Sequence, residues 1–164
     1  TLHIGASESH KRILPEHLRL IIRRLLDETT EDLVLVGTEA ERAWLEGLDL
    51  GHPRLIDMVG KTSFLELFQI LGRSRLLIGA DSAPVHIGSL VNTPTINVSY
   101  GQVNFWETGP KAPFSKIIRA VAGSTDVWER VVEEAQNSLR YRITTLTPAF
   151  HSATRSGAFT AGEP

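Results

Sequence analysis

The chain contains no cysteine. That excludes a disulfide framework, a thiolate-bound metal and a cysteine nucleophile, and it fits a reducing compartment. Nor is there an excess of charge of one sign. Lys and Arg number 17 against 19 Asp and Glu, for a net charge of −2, so a polyanion-binding surface is a poor match and nucleic acid is not the expected partner. No apolar run approaches the length of a bilayer span. The opening residues, TLHIGAS, read as a strand running into a loop rather than as a signal peptide. A chain that opens in mid-strand without an initiator Met is expected to be part of a longer protein.

Several nucleotide and metal signatures are also missing. G-x-G-x-x-G does not occur. Val59-Gly60-Lys61-Thr62-Ser63 has the tail of a phosphate-binding loop, but Leu55 stands where its first Gly belongs. The six histidines (His3, His10, His17, His52, His86, His151) show no metal-ligand spacing, so neither a metal nor a cofactor is expected. Trp44, Trp106 and Trp128 are too scattered for a base-stacking platform.

What is present is an alternation of short apolar runs and helical patterns. Strands are expected at Leu2–Ile4, Leu33–Val36, Arg54–Val59, Leu76–Ile78, Thr95–Val98 and Lys116–Val121, the runs being mostly β-branched and non-alternating. Helices are expected at Pro15–Glu28, Glu39–Leu48, 63–72, Pro84–Leu90 and Asp126–Leu139. Pro15 suits a helix start, and Leu18, Ile21, Ile22, Leu25 and Leu26 share one face. The helix over 63–72 should turn Phe64, Leu65, Phe68 and Leu71 inward, and Ser124 or Thr125 should cap the last helix. Such alternation predicts an α/β fold, a Rossmann-like three-layer sandwich with a parallel sheet. Residues 1–139 read as one domain. From Arg140 onward periodicity fails, and residues 140–164 read as a flexible tail.

In an open α/β sheet, ligands bind outside the carboxyl ends of the strands. That rule gathers the loops GASESHK, GTEAE, GKTS and GADSAPVH on one rim. A helix starting near Ser82 or Ala83 offers backbone N–H groups and a partial positive charge to a phosphate. Ala83 allows close approach, Ser82 adds a hydroxyl, and Pro84 suits the first helical position. Asp81 reads either as an N-cap or as an acceptor for sugar hydroxyls beside the phosphates. Lys11, near Ser7 and Ser9, is either a solvated surface lysine or a cation for a diphosphate. Glu39 is either a first-turn acid favoured by the helix dipole or a ribose-binding acid. His86 either packs or touches a ligand.

These residues carry a resemblance. GKTSFLELFQILGRSRLLIGADSAPVHIGSLVNTPTINVSYG resembles the C-terminal domain of the lipopolysaccharide heptosyltransferase family, glycosyltransferase family 9. Members read G-K-T-S-L-x-E-L, then a strand and D-[ST]-G-x-x-H-x-A with a later Pro. HIGASESHKRILPEHL is similar to the family's P-G-A-S-x-x-K-x-W-P segment, and LVLVGTEAE to its strand-G-x-x-x-E segment. The blocks run in order from residue 1 to about residue 139. The departures are Ala83 for Gly, Leu14 for Trp, and Gln102-Val103-Asn104 where members often have P-T or S-T-D-P.

The resemblance implies the donor-binding, C-terminal half of a GT-B glycosyltransferase, with the reaction in the cleft between two Rossmann-like domains. The implied donor is ADP-heptose or another nucleotide sugar. Transfer would invert the anomeric centre without metal, to a lipopolysaccharide-core acceptor held by an N-terminal domain that also supplies the base. Carried over by position, Ser7 and Lys11 would contact the diphosphate, Glu39 the ribose and Thr62 the adenine. Ser82 and Ala83 would hold phosphate, with Asp81 near the heptose hydroxyls and His86 beside the site. Lys11 and Asp81 would be the residues closest to catalysis. The implied location is cytoplasmic, with peripheral contact at the inner membrane. A non-catalytic assembly module of the same fold is the rival reading.

Overall fold

The computed structural model describes residues 1–6, 11, 13–100, 105–120 and 126–145. Its elements are β1 (Leu2–His3), α1 (Pro15–Glu28), β2 (Leu33–Val36), a 3-10 helix (Glu39–Leu45), β3 (Leu55–Asp57) and α2 (Phe64–Arg73). They continue with β4 (Leu77–Ala80), α3 (Ala83–Leu90), β5 (Thr95–Tyr100), α4 (Phe105–Thr108), β6 (Lys116–Ala120) and α5 (Val127–Thr145). All six strands pair in parallel in the order β3-β2-β1-β4-β5-β6. This is the expected Rossmann-like sheet, and its direction of winding reverses between β1 and β4.

The layers follow from the side chains. Pro15 opens α1, and Leu18, Ile21, Ile22, Leu25 and Leu26 are buried, as their spacing predicts. Each such side chain contributes roughly 1.5–3 kcal/mol relative to exposure. α1 lies beside α5, and both join the larger core over one face of the sheet with Leu2, Leu35, Ile78 and Val98. Leu77, on the opposite side of β4, packs with Leu71 of α2 and Ile87 of α3. These two faces give the three layers. The last turn of α1 has no basic residue of its own. Arg54 supplies the missing donors from before β3, bonding the carbonyls of Thr29 at 2.8 Å, Glu31 at 3.0 Å and Leu26.

Four expectations need correcting. The segment from Glu39 is a 3-10 helix ending at Leu45, not an α-helix to Leu48. Among its residues Leu45 alone is buried, so no apolar stripe holds a longer helix against the sheet. Phe64 and Leu65 are exposed rather than inward, because the packing of α2 against Leu77 and Ile87 begins only at Leu67 and Phe68. β5 alternates Ile96 and Val98 with the buried polar residues Thr95, Asn97 and Ser99. Finally, α5 continues to Thr145, past Leu139 and into the expected tail. The rest of that tail lies outside the described residues, as do Ser124, Thr125 and Gln102-Val103-Asn104.

Candidate functional site

A groove of about 870 Å³ opens at the carboxyl ends of β1 to β4, over the point where the winding reverses. His3 and Ala6 line it from β1, Thr38 to Glu41 and Trp44 from the 3-10 helix. Gly60, Thr62 and Phe64 close the β3 side, and Ser82, Ala83 and Pro84 the β4 side. Four residues expected on the rim, Glu39, Thr62, Ser82 and Ala83, therefore share one groove. Lys11 is half-buried in the loop between β1 and α1 and is not among the lining residues. His86 is exposed on α3 and does not line the groove either. Ser7 lies outside the described residues.

The start of α3 differs in detail from a plain helix terminus. Ser82 is the N-cap, with φ −161° and ψ 168°, and its side chain makes no capping bond. Its hydroxyl instead donates to the Ala80 carbonyl at 2.9 Å. With that hydrogen used, the hydroxyl oxygen accepts from His3 Nδ1 at 3.2 Å. Ala83 occupies the first helical position and Pro84 the second, one later than expected. Ala83, standing where the family pattern has Gly, needs no left-handed backbone. The non-glycine residues of positive φ among those described are Asn92 and Phe114.

Asp81 is not an N-cap. Its Oδ1 accepts from Asn97 Nδ2 at 2.5 Å. Asp81 Oδ2 and Asn97 Oδ1 are buried and take no hydrogen bond among the described residues. The carboxylate is thus turned toward β5, and Asp81 is not among the residues lining the groove. Its second oxygen has no donor and is closed off from the groove.

On the opposite wall, Glu39 accepts from Arg42 Nε at 3.1 Å. Arg42 also reaches Asp57 Oδ2 at 3.1 Å and the Val59 carbonyl. Lys61 Nζ donates to Asp57 Oδ2 at 2.8 Å and to the Asp57 carbonyl at 2.9 Å. Burial pushes the Asp57 carboxyl upward, but hydrogen bonds from Lys61, the Val59 amide and Arg42 outweigh it and hold the group below its usual range. The backbone of the turn is tied across as well, Gly60 N–H donating to the Gly37 carbonyl at 2.9 Å. At the entrance of α2, Ser63 N–H bonds Glu66 Oε2 at 2.7 Å and Glu66 N–H bonds Ser63 Oγ at 3.3 Å, a capping box that fixes the loop carrying Thr62.

Sequence reasoning did not place His3, Trp44 or Phe64 in the groove, nor Leu67 and Ile87. His3 ends β1 beside the reversal point and is 7% exposed. Burial lowers its pKa to about 4, against an opposing pull from the Glu41 carboxylate, so the ring is neutral near pH 7. A polar residue closing an apolar strand is the signal that could have found it. Trp44 and Phe64 supply aromatic surface to the groove, Phe64 meeting Phe68 edge-on at 5.0 Å.

Comparison with known proteins agrees with this architecture. Lipopolysaccharide heptosyltransferase 3 of Escherichia coli is 41% identical over 56 residues, 33% of this chain and 16% of that protein. Lipopolysaccharide heptosyltransferase 1 of Campylobacter coli is 29% identical over 123 residues, 71% of this chain and 35% of that protein. The structure of E. coli ADP-heptose LPS heptosyltransferase II matches with a TM-score of 0.74 at 19% identity, over 87% of this chain and 46% of that one. E. coli heptosyltransferase WaaC with ADP matches with a TM-score of 0.64 at 19% identity, over 88% and 42%. At these identities the structural likeness is one of fold. The chain spans less than half the length of each of these relatives. The family model for glycosyltransferase family 9 (heptosyltransferase) matches residues 2–136, most of the chain, and the chain belongs to that family.

Proposed function

We propose that this chain is the donor-binding part of a heptosyltransferase. It would hold ADP-heptose, or a close nucleotide sugar, for inverting transfer to a lipopolysaccharide-core acceptor on the cytoplasmic side of the inner membrane. The observation that carries the reading is the groove at the reversal point, with the start of α3 on one wall and Glu39 and Thr62 on the other. Family membership supports it, as do the ADP-heptose and ADP named for two structures of the same fold.

In this reading the nucleoside lies toward Glu39 and Thr62 and the diphosphate toward Ala83. An acceptor oxygen attacks the anomeric carbon, the bond from that carbon to the phosphate oxygen breaks, and ADP leaves with its electron pair. The partial positive charge at the start of α3, the Lys11 ammonium and the Ser7 hydroxyl stabilise the charge that develops on ADP. For Asp81 to accept from a sugar hydroxyl, its carboxylate turns away from Asn97 and out toward the groove as the donor binds. The acceptor and its base belong to the part of such enzymes that this chain does not span.

Calorimetric titration with ADP tests the reading. Lys11→Ala should weaken ADP by roughly tenfold or more, the scale of one charge-assisted hydrogen bond. Unchanged affinity would remove Lys11 from the site. Preference for UDP or GDP over ADP would overturn the adenine assignment. No binding of any nucleoside diphosphate by the folded chain would leave the assembly module as the better account.

A further inference from the structure

We infer that Asn97 is a positioning residue that withholds Asp81 from the groove until a sugar hydroxyl competes for it, and thereby sets how strongly the site prefers a nucleotide sugar to the bare nucleotide. That role rests on the donor-binding reading of the groove.

Asn97 lies inside β5 between Ile96 and Val98 and is fully buried. A side-chain amide in such a place needs partners at both of its ends. The buried polar neighbours Thr93 and Thr95 find theirs in the fold. Thr93 Oγ1 donates to the Leu71 carbonyl at 2.6 Å, and Thr95 Oγ1 to the Thr93 carbonyl at 3.0 Å. Asn97 is only half satisfied: Nδ2 donates to Asp81 Oδ1 at 2.5 Å, and Oδ1 takes no hydrogen bond among the described residues. A leucine of similar size would fill the place and leave nothing unpaired, so packing gives no reason for the amide. What the amide does is hold Asp81.

The hold is incomplete on the Asp81 side as well. With Oδ2 buried and without a donor, the inward carboxylate gains one charge-assisted hydrogen bond and leaves one oxygen uncompensated. Turning outward gives up the first and relieves the second. The two orientations are therefore close in free energy, and a ligand shifts between them by what it offers the outward one alone. A sugar hydroxyl beside the start of α3 offers a donor. ADP without its sugar offers none, and its diphosphate repels a carboxylate brought next to it. With ADP alone Asp81 stays on Asn97. A nucleotide sugar draws it out against that bond, which lowers the apparent affinity of the sugar nucleotide.

The test is calorimetric titration of the full chain with ADP and with ADP-heptose, read as the ratio of the two affinities. Asn97→Leu should raise the preference for ADP-heptose roughly tenfold, the scale of the hydrogen bond it removes. In an Asp81→Ala background the same substitution should change the ratio by less than about threefold, because no carboxylate is left to release. An unchanged or reduced ratio in Asn97→Leu, or a gain that persists without Asp81, overturns the inference. NMR of the unaltered chain decides the matter if Asn97→Leu does not fold. The Asn97 side-chain amide should shift on saturation with ADP-heptose and respond much less to ADP. An amide that ADP-heptose leaves in place, or that both nucleotides move alike, overturns the inference. A chain that binds neither nucleotide overturns the donor reading itself, whereas one that binds both and fails these tests loses only the role given to Asn97.

Discussion

Gly60→Ala probes the seam between the two elements of the nucleoside wall. Gly60 has φ +70°, a conformation that costs an L-residue roughly 1–2 kcal/mol. A Cβ there would also overlap the Glu39 carboxylate and come within 3.0 Å of Glu39 Cα. The carboxylate can swing into solvent at little cost. The Cα can yield only if the 3-10 helix shifts, and Arg42 and the Gly60–Gly37 hydrogen bond oppose that. The total is roughly 2–3 kcal/mol. Gly47→Ala is the matched control, because Gly47 has φ +71° while its added Cβ would meet only Arg19 Nη2, at 3.3 Å. Urea unfolding of both variants at pH 7 should therefore show Gly60→Ala roughly 1 kcal/mol less stable than Gly47→Ala. ADP titration should show Gly60→Ala weakened about tenfold, the cost of losing one charge-assisted hydrogen bond, and Gly47→Ala unchanged. Equal stability losses would refute the contact with Glu39 Cα. Unaltered ADP affinity in Gly60→Ala would refute the placing of the nucleoside against this wall.

Arg54→Ala leaves the carbonyls of Leu26, Thr29 and Glu31 without their shared donor. Water replaces part of the loss at this half-buried site, so the expected cost is about 2–4 kcal/mol by chemical denaturation, and a cost below about 0.5 kcal/mol would discount Arg54 as the cap of α1. His3 predicts a pH dependence of stability. Its pKa in the folded protein is lowered to about 4 against about 6.5 unfolded. Between those values the unfolded chain binds a proton that the folded protein refuses, so stability falls as pH drops from about 6.5 to about 4, by about 3 kcal/mol. His3→Gln should remove that portion of the slope, and a slope that survives the substitution would show that His3 does not cause it.

The parts of the fold that were legible in the sequence were those with a local periodic cause. The stripe Leu18, Ile21, Ile22, Leu25, Leu26 needs nothing beyond helical geometry and an apolar sheet to meet, and it is buried as its spacing implies. The same rule fails at Phe64 and Leu65 because periodicity says which residues share a face and not where along the helix its packing partners begin. The rim loops were legible because parallel strands send all their carboxyl ends to one edge, which brings Glu39, Thr62, Ser82 and Ala83 together. Arg42 and Asp57 were not legible as partners. They are 15 positions apart, and their ion pair exists only because β2 and β3 are neighbours with Leu35 opposite Asp57. Asp81 shows the same limit, since its partner Asn97 lies on β5 and the pairing of Ala80 with Val98 brings the two side chains within reach.

The start of α3 shows how a motif can be recognised while its physics is misjudged. A helix terminus suits an anion through its open N–H groups, but here few remain. Pro84 has none, the Val85 amide is spent on the Ser82 carbonyl at 3.1 Å, and the Ser82 hydroxyl is turned inward to Ala80. The Ala83 amide is left, with no partner among the described residues. A diphosphate seated there would gain the helix dipole and one strong donor, less than its two phosphates can accept. The balance must come from cationic or hydroxyl groups outside α3, and in the proposed reading the loop between β1 and α1 supplies them through Lys11 and Ser7. It follows that a lysine substitution in that loop should weaken a diphosphate more than Ser82→Ala does, because the serine hydroxyl already has other partners.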